Sequence, residues 1–335
     1  MLSILREHPI LTWMKALYVV VSLPLLLAGR VVPYYYRASH RFPAEDITIT
    51  TLVTGNRFHI LSDLAQSYHG PISVAVHVSS GPRSEVSSLL DSLHSLYETI
   101  PAILHARTDY VMMLDVDFSI CTDFRSRILE SQDVISKLRM GDVALVVPAF
   151  EFTDQRDGID PSTFPKDKEG LLSLVQNGKL NMFHASWLPG HHSTNYDKYY
   201  EAPAGHVYRV TDYQYSYEPY IIFKRDSAPW CDERFVGYGS NKAACLFGMY
   251  LSGISFYVLP DDFVIHRSHI YAEKTRTYER KYNSLVYADF RAETCLRYFM
   301  QRLLDGTLEL QKGENVRTEC IHIDGVPGAV KEVSA

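Results

Sequence analysis

The stretch YVMMLDVDFSICTDF, residues 110–124, decides the reading of the fold. Tyr110, Val111, Met112, Met113, Leu114 and Val116 are side chains of the kind that bury in a strand, yet the run ends in two carboxylates, Asp115 and Asp117. An apolar run this continuous marks a strand covered on both faces. Ligands of open α/β sheets bind at the carboxyl ends of the strands, which is where these acids stand. On a strand of period two, Asp115 and Asp117 point the same way, so their carboxylates can share one partner. Two like charges this close need something positive between them, and oxygen ligands suit Mg2+ or Mn2+. The competing reading is a turn in which the aspartates cap the next element.

Outward from this stretch the pattern repeats. DITITTLVTG (46–55), SVAVHVS (73–79), DVALVVPAF (142–150), EPYIIFKR (218–225) and ISFYVLP (254–260) read as further strands. EVSSLLDSLHSLY (85–97) carries a helical stripe of Val86, Leu89, Leu90, Leu93 and Leu96, and helices are expected near 169–177, 240–252 and 284–304. Strands separated by helices predict an α/β fold with a Rossmann-like, mainly parallel sheet and helices on both faces. Residues 151–220, rich in Pro, Gly, Asn and Tyr, read as loops around a site. Tyrosines between 196 and 220 suit a pocket for polar ligands, or equally a half-exposed surface.

The 335 residues are 46% hydrophobic and carry a net charge of −6 from interspersed charges. That balance offers no basic stripe to track a phosphate backbone, so nucleic acid is not an expected partner. The five cysteines show no CxxC spacing, which argues against a thiolate metal site. In an oxidising compartment they allow two disulfides and one leftover thiol, and in a reducing one all five can simply be packed. ALYVVVSLPLLLAG (16–29) is uncharged between Lys15 and Arg30. Counted from Ile10, with Lys15 snorkelling, it reaches the ~20 residues a membrane span needs. A signal anchor over 1–30 is therefore expected, with a cleaved signal peptide or a buried helix as alternatives. A stem over 31–45, a catalytic domain over 46–305 and a polar, loosely ordered tail over 306–335 follow.

Three downstream stretches offer chemistry. WCDERFVGYGSNKAA (230–244) places Asp232 and Glu233 before Gly237 and Gly239, which let backbone pass close to a ligand. Asn241 and Lys242 then open a helix whose dipole favours an anion. VLPDDFVIHRSH (258–269) ends a strand in acids and offers His266 as a third metal ligand, with Arg267 and His269 beyond. LPGHHSTNY (188–196) is a loop of hydrogen-bonding residues that includes His191.

Taken in order, TDYVMMLDVDF, VVPAFEF, GHHSTNY, YEPYIIFKR, DERFVGYGSNK and FYVLPDDFVIHRSH closely resemble glycosyltransferase family 49, the LARGE and beta-1,4-glucuronyltransferase type, over about residues 47–300. The chain is identified as a fungal-like member. The resemblance implies a GT-A fold, a UDP-sugar donor, Mn2+ (or Mg2+) held by a DxD motif, inversion at the anomeric carbon, and a type II Golgi membrane protein acting on a glycan acceptor. On that reading Asp115, Asp117 and His266 hold the metal. Asp232 or Glu233 serves as base, unless Glu233 pairs with Arg234 or Lys242 to hold the loop. Lys242, Asn241, Gly237, Gly239, His191 and Arg267 line the donor site. A glucuronosyl donor is compatible with arginine's bidentate hold on carboxylates. The family pattern also carries an Asn- and Arg-bearing segment before the DVD strand, which LHSLYETIPAILHARTDYV (93–111) lacks. Two rivals stand beside this reading. DVDFS and LPDD mimic the acids of a haloacid-dehalogenase-type phosphotransferase, and a degenerate, non-catalytic glycan-binding transferase is the other.

Overall fold

Eleven strands carry the described part of the chain, and their directions are set by where the chain can cross between two sheets. The computed structural model describes residues 42–77, 108–269, 273–323 and 325–328, with helical backbone at positions between 87 and 94. The anchor, the stem up to residue 41 and about half of the helix expected at 85–97 lie outside the described residues. In chain order the elements are β1 (Ile47–Thr54), α1 (Phe58–Ser67), β2 (Ile72–His77), β3 (Tyr110–Met113), β4 (Phe118–Ile120), α2 (Phe124–Glu130) and α3 (Gln132–Met140). There follow β5 (Val143–Val147), β6 (Ala149–Phe152), α4 (Lys168–Gln176), β7 (Leu180–Met182), α5 (Tyr196–Glu201), β8 (Tyr208–Arg209) and β9 (Tyr220–Lys224). The last are α6 (Asn241–Leu251), β10 (Ser255–Val258), β11 (Val264–His266), α7 (Glu273–Leu304) and α8 (Gln311–Cys320).

A seven-stranded sheet runs in the order β2-β1-β3-β9-β5-β10-β8, and a four-stranded sheet in the order β4-β11-β6-β7. In the large sheet β1 pairs parallel with β2 and β3, and β10 with β5. β9 runs antiparallel to both β3 and β5, and β8 antiparallel to β10. The sheet is α/β but mixed, which corrects the mainly parallel expectation. YIIFK is apolar because both its faces are covered, and burial of that kind does not record strand direction.

Helix ends follow local chemistry. Asp123 caps α2 by accepting from Ser126 N at 3.1 Å, and Ser131 caps α3. Gly141 closes α3 with φ +81°, a conformation that suits glycine. One apolar core lies on the α1, α2 and α3 side of the large sheet, and another gathers α6, α7 and the tyrosines of 196–217. Cys231–Cys245 and Cys295–Cys320 form disulfides, and Cys121 stays buried and free. The second bridge fastens α8 to α7, so residues 311–320 form a docked helix where a loosely ordered tail was expected.

Three chain passages leave the large sheet for the small one at the same edge: β3 to β4, β5 to β6, and β10 to β11. Pro148 sits between β5 and β6, where its missing N–H ends one ladder before the next begins. Polar side chains gathered on this seam come from segments far apart in sequence.

Candidate metal and donor site

The first seam passage carries the acids. Phe118 N donates to Asp115 O at 3.1 Å, so residues 115–118 form a turn, which replaces the period-two strand expected there. The turn sends the two side chains to different surroundings. Asp117 is buried, its side chain 8% exposed, whereas that of Asp115 is 62% exposed.

Asp117 Oδ2 is the centre of a cluster. His269 Nε2 lies 2.9 Å away, His266 Nε2 3.7 Å away and Arg57 Nη1 2.7 Å away. Burial opposes ionisation of Asp117, but hydrogen bonds from His266 and His269 and the charges of His266 and Arg57 hold its carboxyl well below the usual range. The position of His266 is fixed by the small sheet, where β11 pairs it with Phe118 of β4 and Glu151 of β6. Arg267 N donates to Asp117 O at 2.8 Å and locks the turn against β11. Asp117, His266 and His269 each offer a ligand atom within 4.8 Å of the others. One carboxylate and two imidazoles fit a first-row divalent ion such as Mn2+ better than Mg2+, which favours oxygen alone.

Asp115 faces a second group. Tyr220 donates to Asp115 Oδ2 at 2.7 Å, and Lys242 Nζ stands 3.5 Å from the same oxygen. The Lys242 ammonium also sits 3.7 Å from the Tyr220 ring centroid, a cation–π contact. Glu218 lies close by: burial raises its carboxyl, while the Lys242 charge and the Ala243 amide at the start of α6 pull it down. Below the seam, His184 takes φ +55° and its ring stacks on Phe183 at 3.8 Å. Burial and the neighbouring His266 charge lower its imidazole to about 4, so it is neutral at physiological pH. Burial pushes the His191 imidazole well below its ordinary value too.

The DERFVGYGSNK loop is fastened to α7. Asn283, fully buried, donates to Val236 O at 2.9 Å and Tyr238 O at 3.1 Å and accepts from Val236 N. Glu279 accepts from Tyr238 N at 2.8 Å. A Cβ at Gly237 (φ +74°) would meet the Glu279 carboxylate at 2.4–2.7 Å, so this turn admits only glycine without rearrangement.

A family model described as "Glycosyl-transferase for dystroglycan" matches residues 46–104 and 101–299. The chain belongs to this glycosyltransferase family. The Xylosyl- and glucuronyltransferase LARGE2 of Rattus norvegicus is 32% identical over 260 residues, covering 69% of this chain and 36% of that protein. LARGE1 of Homo sapiens is 29% identical over 261 residues, covering 70% of this chain and 33% of that protein. The chain therefore spans about a third of the length of these relatives. Both are vertebrate proteins, and the fungal character expected from the sequence has no support in them. Among solved structures, GalNAc-T7 with UDP, GalNAc and Mn2+ matches with a TM-score of 0.41 and 9% identity, over 67% of this chain and 44% of that one.

For this member of the glycosyltransferase family, the structure brings Asp117 and His266 together and adds His269 as the third donor. Asp115 stands outside that cluster, beside Lys242. His191 lies packed against Phe183 and near Tyr220, beneath the seam. Arg267 pairs with Asp63 at 2.7 Å. Asn241 is spent on the loop, donating to Gly237 O and accepting from Lys242 N. Asp232 has both carboxylate oxygens engaged by Arg234, which also bridges to Glu293. Glu233 is exposed. Asp261 accepts from Gly205 N and Asp262 pairs with Arg127, so the LPDD acids the phosphotransferase reading needs are engaged elsewhere. Arg57, Tyr220, Glu218 and His184 were not singled out from sequence. Arg57 carried a signal there, since TGNR follows the first strand's carboxyl end.

Proposed function

We propose that this chain is a Mn2+-dependent inverting glycosyltransferase that moves a sugar from a UDP-sugar to a glycan acceptor hydroxyl. The observation that carries this reading is the Asp117–His266–His269 triad, set at the carboxyl edge of the sheet in a chain of this family. A divalent ion bound there supplies Lewis-acid charge to the departing nucleotide diphosphate. Lys242, held between Asp115 and the Tyr220 ring, adds a fixed positive charge beside that position. Arg234 occupies both carboxylate oxygens of Asp232. The base role is therefore assigned to Glu233. The relatives' names specify xylosyl and glucuronyl transfer, so UDP-glucuronate and UDP-xylose are the first donors to try.

The compartment follows the same line. Two disulfides suit an oxidising lumen, and the uncharged segment at 16–29 suits a type II anchor in the Golgi membrane. Among the described residues no helix is long and apolar enough to cross a membrane.

One observation favours a second reading, a non-catalytic glycan-binding transferase. The family match comes in two pieces that meet at residues 101–104, within the stretch that lacks the Asn- and Arg-bearing segment. Calorimetric titration of UDP with Mn2+, followed by a UDP-release assay over a donor panel, separates the two. Metal-dependent UDP binding with turnover supports the enzyme. A folded sample without metal-dependent UDP binding supports the second reading.

A further inference from the structure

Among the described residues, a guanidinium rests on the triad's carboxylate. Arg57 ends the short segment Gly55–Arg57 that follows β1. Its Nη1 lies 2.7 Å from Asp117 Oδ2 and its Nη2 lies 3.3 Å from His269 Nε2. The same Oδ2 is 2.9 Å from His269 Nε2 and 3.7 Å from His266 Nε2. One carboxylate oxygen is thus the meeting point of the guanidinium and both imidazoles. A metal ion bonded to Asp117 Oδ2 and His269 Nε2 at about 2.0–2.2 Å would compete with the guanidinium for the same two atoms and stand within a few ångströms of its charge.

We propose that Arg57 is a resident cation which a divalent metal displaces from Asp117, and that the freed guanidinium then binds the diphosphate of a nucleoside diphosphate. This rests on the reading of the triad as a metal site. The Arg57 side chain is 28% exposed, so one side of it faces open solvent into which it can swing. Its planar fork suits paired phosphate oxygens of the kind a diphosphate offers. Displacing Arg57 weakens metal binding to the free protein, and a diphosphate that receives Arg57 restores what was lost. Metal and nucleotide therefore bind with positive coupling, and the coupling is the same in both directions.

The test is Mn2+ titration read by electron paramagnetic resonance of free Mn2+, with and without saturating UDP, on the wild type, Arg57→Ala and Arg57→Gln. In the wild type UDP tightens Mn2+ binding by about tenfold or more. Without UDP, both variants bind Mn2+ about tenfold more tightly than the wild type, and UDP tightens their Mn2+ binding by a smaller factor than it does in the wild type. Equal or weaker Mn2+ binding by the variants without UDP overturns the proposal, provided circular dichroism gives them a wild-type melting curve. Absence of Mn2+ binding in a folded wild type and in both variants overturns the metal reading of the triad itself. That pattern differs from the failure of Arg57 alone, in which Mn2+ still binds.

Discussion

Tyr220 donates its phenolic hydroxyl to Asp115 Oδ2 at 2.7 Å from a ring that lies beneath the Lys242 ammonium. Burial and the Asp115 charge raise the Tyr220 phenol well above its ordinary range, so it remains a proton donor at any working pH. Tyr220→Phe keeps the ring and removes only the donor. Because Asp115 is largely exposed, water replaces much of what is lost, and the melting temperature changes by no more than a few degrees. The expected effect is on the site: kcat/KM for the UDP-sugar falls by about three- to tenfold, the range of an ordinary hydrogen bond, because the Asp115 carboxylate is open to water. Unchanged kinetics would remove Asp115 and Tyr220 from the donor site.

Asp117→Asn replaces the one carboxylate of the triad by an amide of the same shape. Metal-dependent transfer should drop by on the order of 10^2 to 10^3, as expected when a main electrostatic stabiliser is lost. Mn2+ titration should show no binding at micromolar protein while the far-ultraviolet dichroism spectrum is retained. Transfer at the wild-type rate would end the metal assignment.

Glu319, half-buried on α8, has its carboxyl raised to about 7, first by burial and then by Asp212, against the pull of Arg291. An acid whose folded pKa exceeds its unfolded value binds more protons when folded. Stability from this group therefore falls as pH rises from about 4.5 to about 7 and is level above that. Glu319→Gln should flatten this part of the stability profile in urea titrations at pH 5 and 7.5. A slope equal to that of the wild type would refute the assignment.

Asn283→Leu leaves the Val236 amide and the Val236 and Tyr238 carbonyls without their side-chain partner. Such a loss costs roughly 2–4 kcal/mol. The melting temperature should fall, and proteolysis should cut first within 232–240. If the variant melts like the wild type, Asn283 does not hold the loop.

Reduction of Cys295–Cys320, which closes a sequence separation of 25 residues, should cost about 3 kcal/mol through the freed unfolded chain. The Cys295→Ala/Cys320→Ala variant should show the same loss by thermal melting without reductant. Equal melting of the oxidised wild type and the variant would exclude a stabilising bridge.

Several parts of the fold could be read before any coordinate was known. The strands around 47–54, 72–77, 110–113, 220–224 and 255–258 were legible because apolar, β-branched runs report burial directly. Helix α8 escaped, since QKGENVRTEC has few apolar residues and docks through Val316, Asn315 and the Cys320 bridge, none of which forms a stripe. His269 was only one of two histidines at the end of a motif. Its role depends on the chain turning after β11 so that Nε2 reaches Asp117.

The amino-acid sequence by itself determined that a buried strand runs into Asp115 and Asp117, that glycines bound the loop before Lys242, and that His266 ends an apolar run. These are local facts, carried by periodicity and by the few residue types that tolerate each backbone. Tertiary structure alone decided that β9 runs antiparallel, that the two aspartates part at a turn, and that Arg57 and His269 meet Asp117. The reason is that these contacts join residues 57, 117, 266 and 269 across a seam between two sheets. Pairing over such sequence distances is fixed by how the sheets pack, which no short stretch encodes.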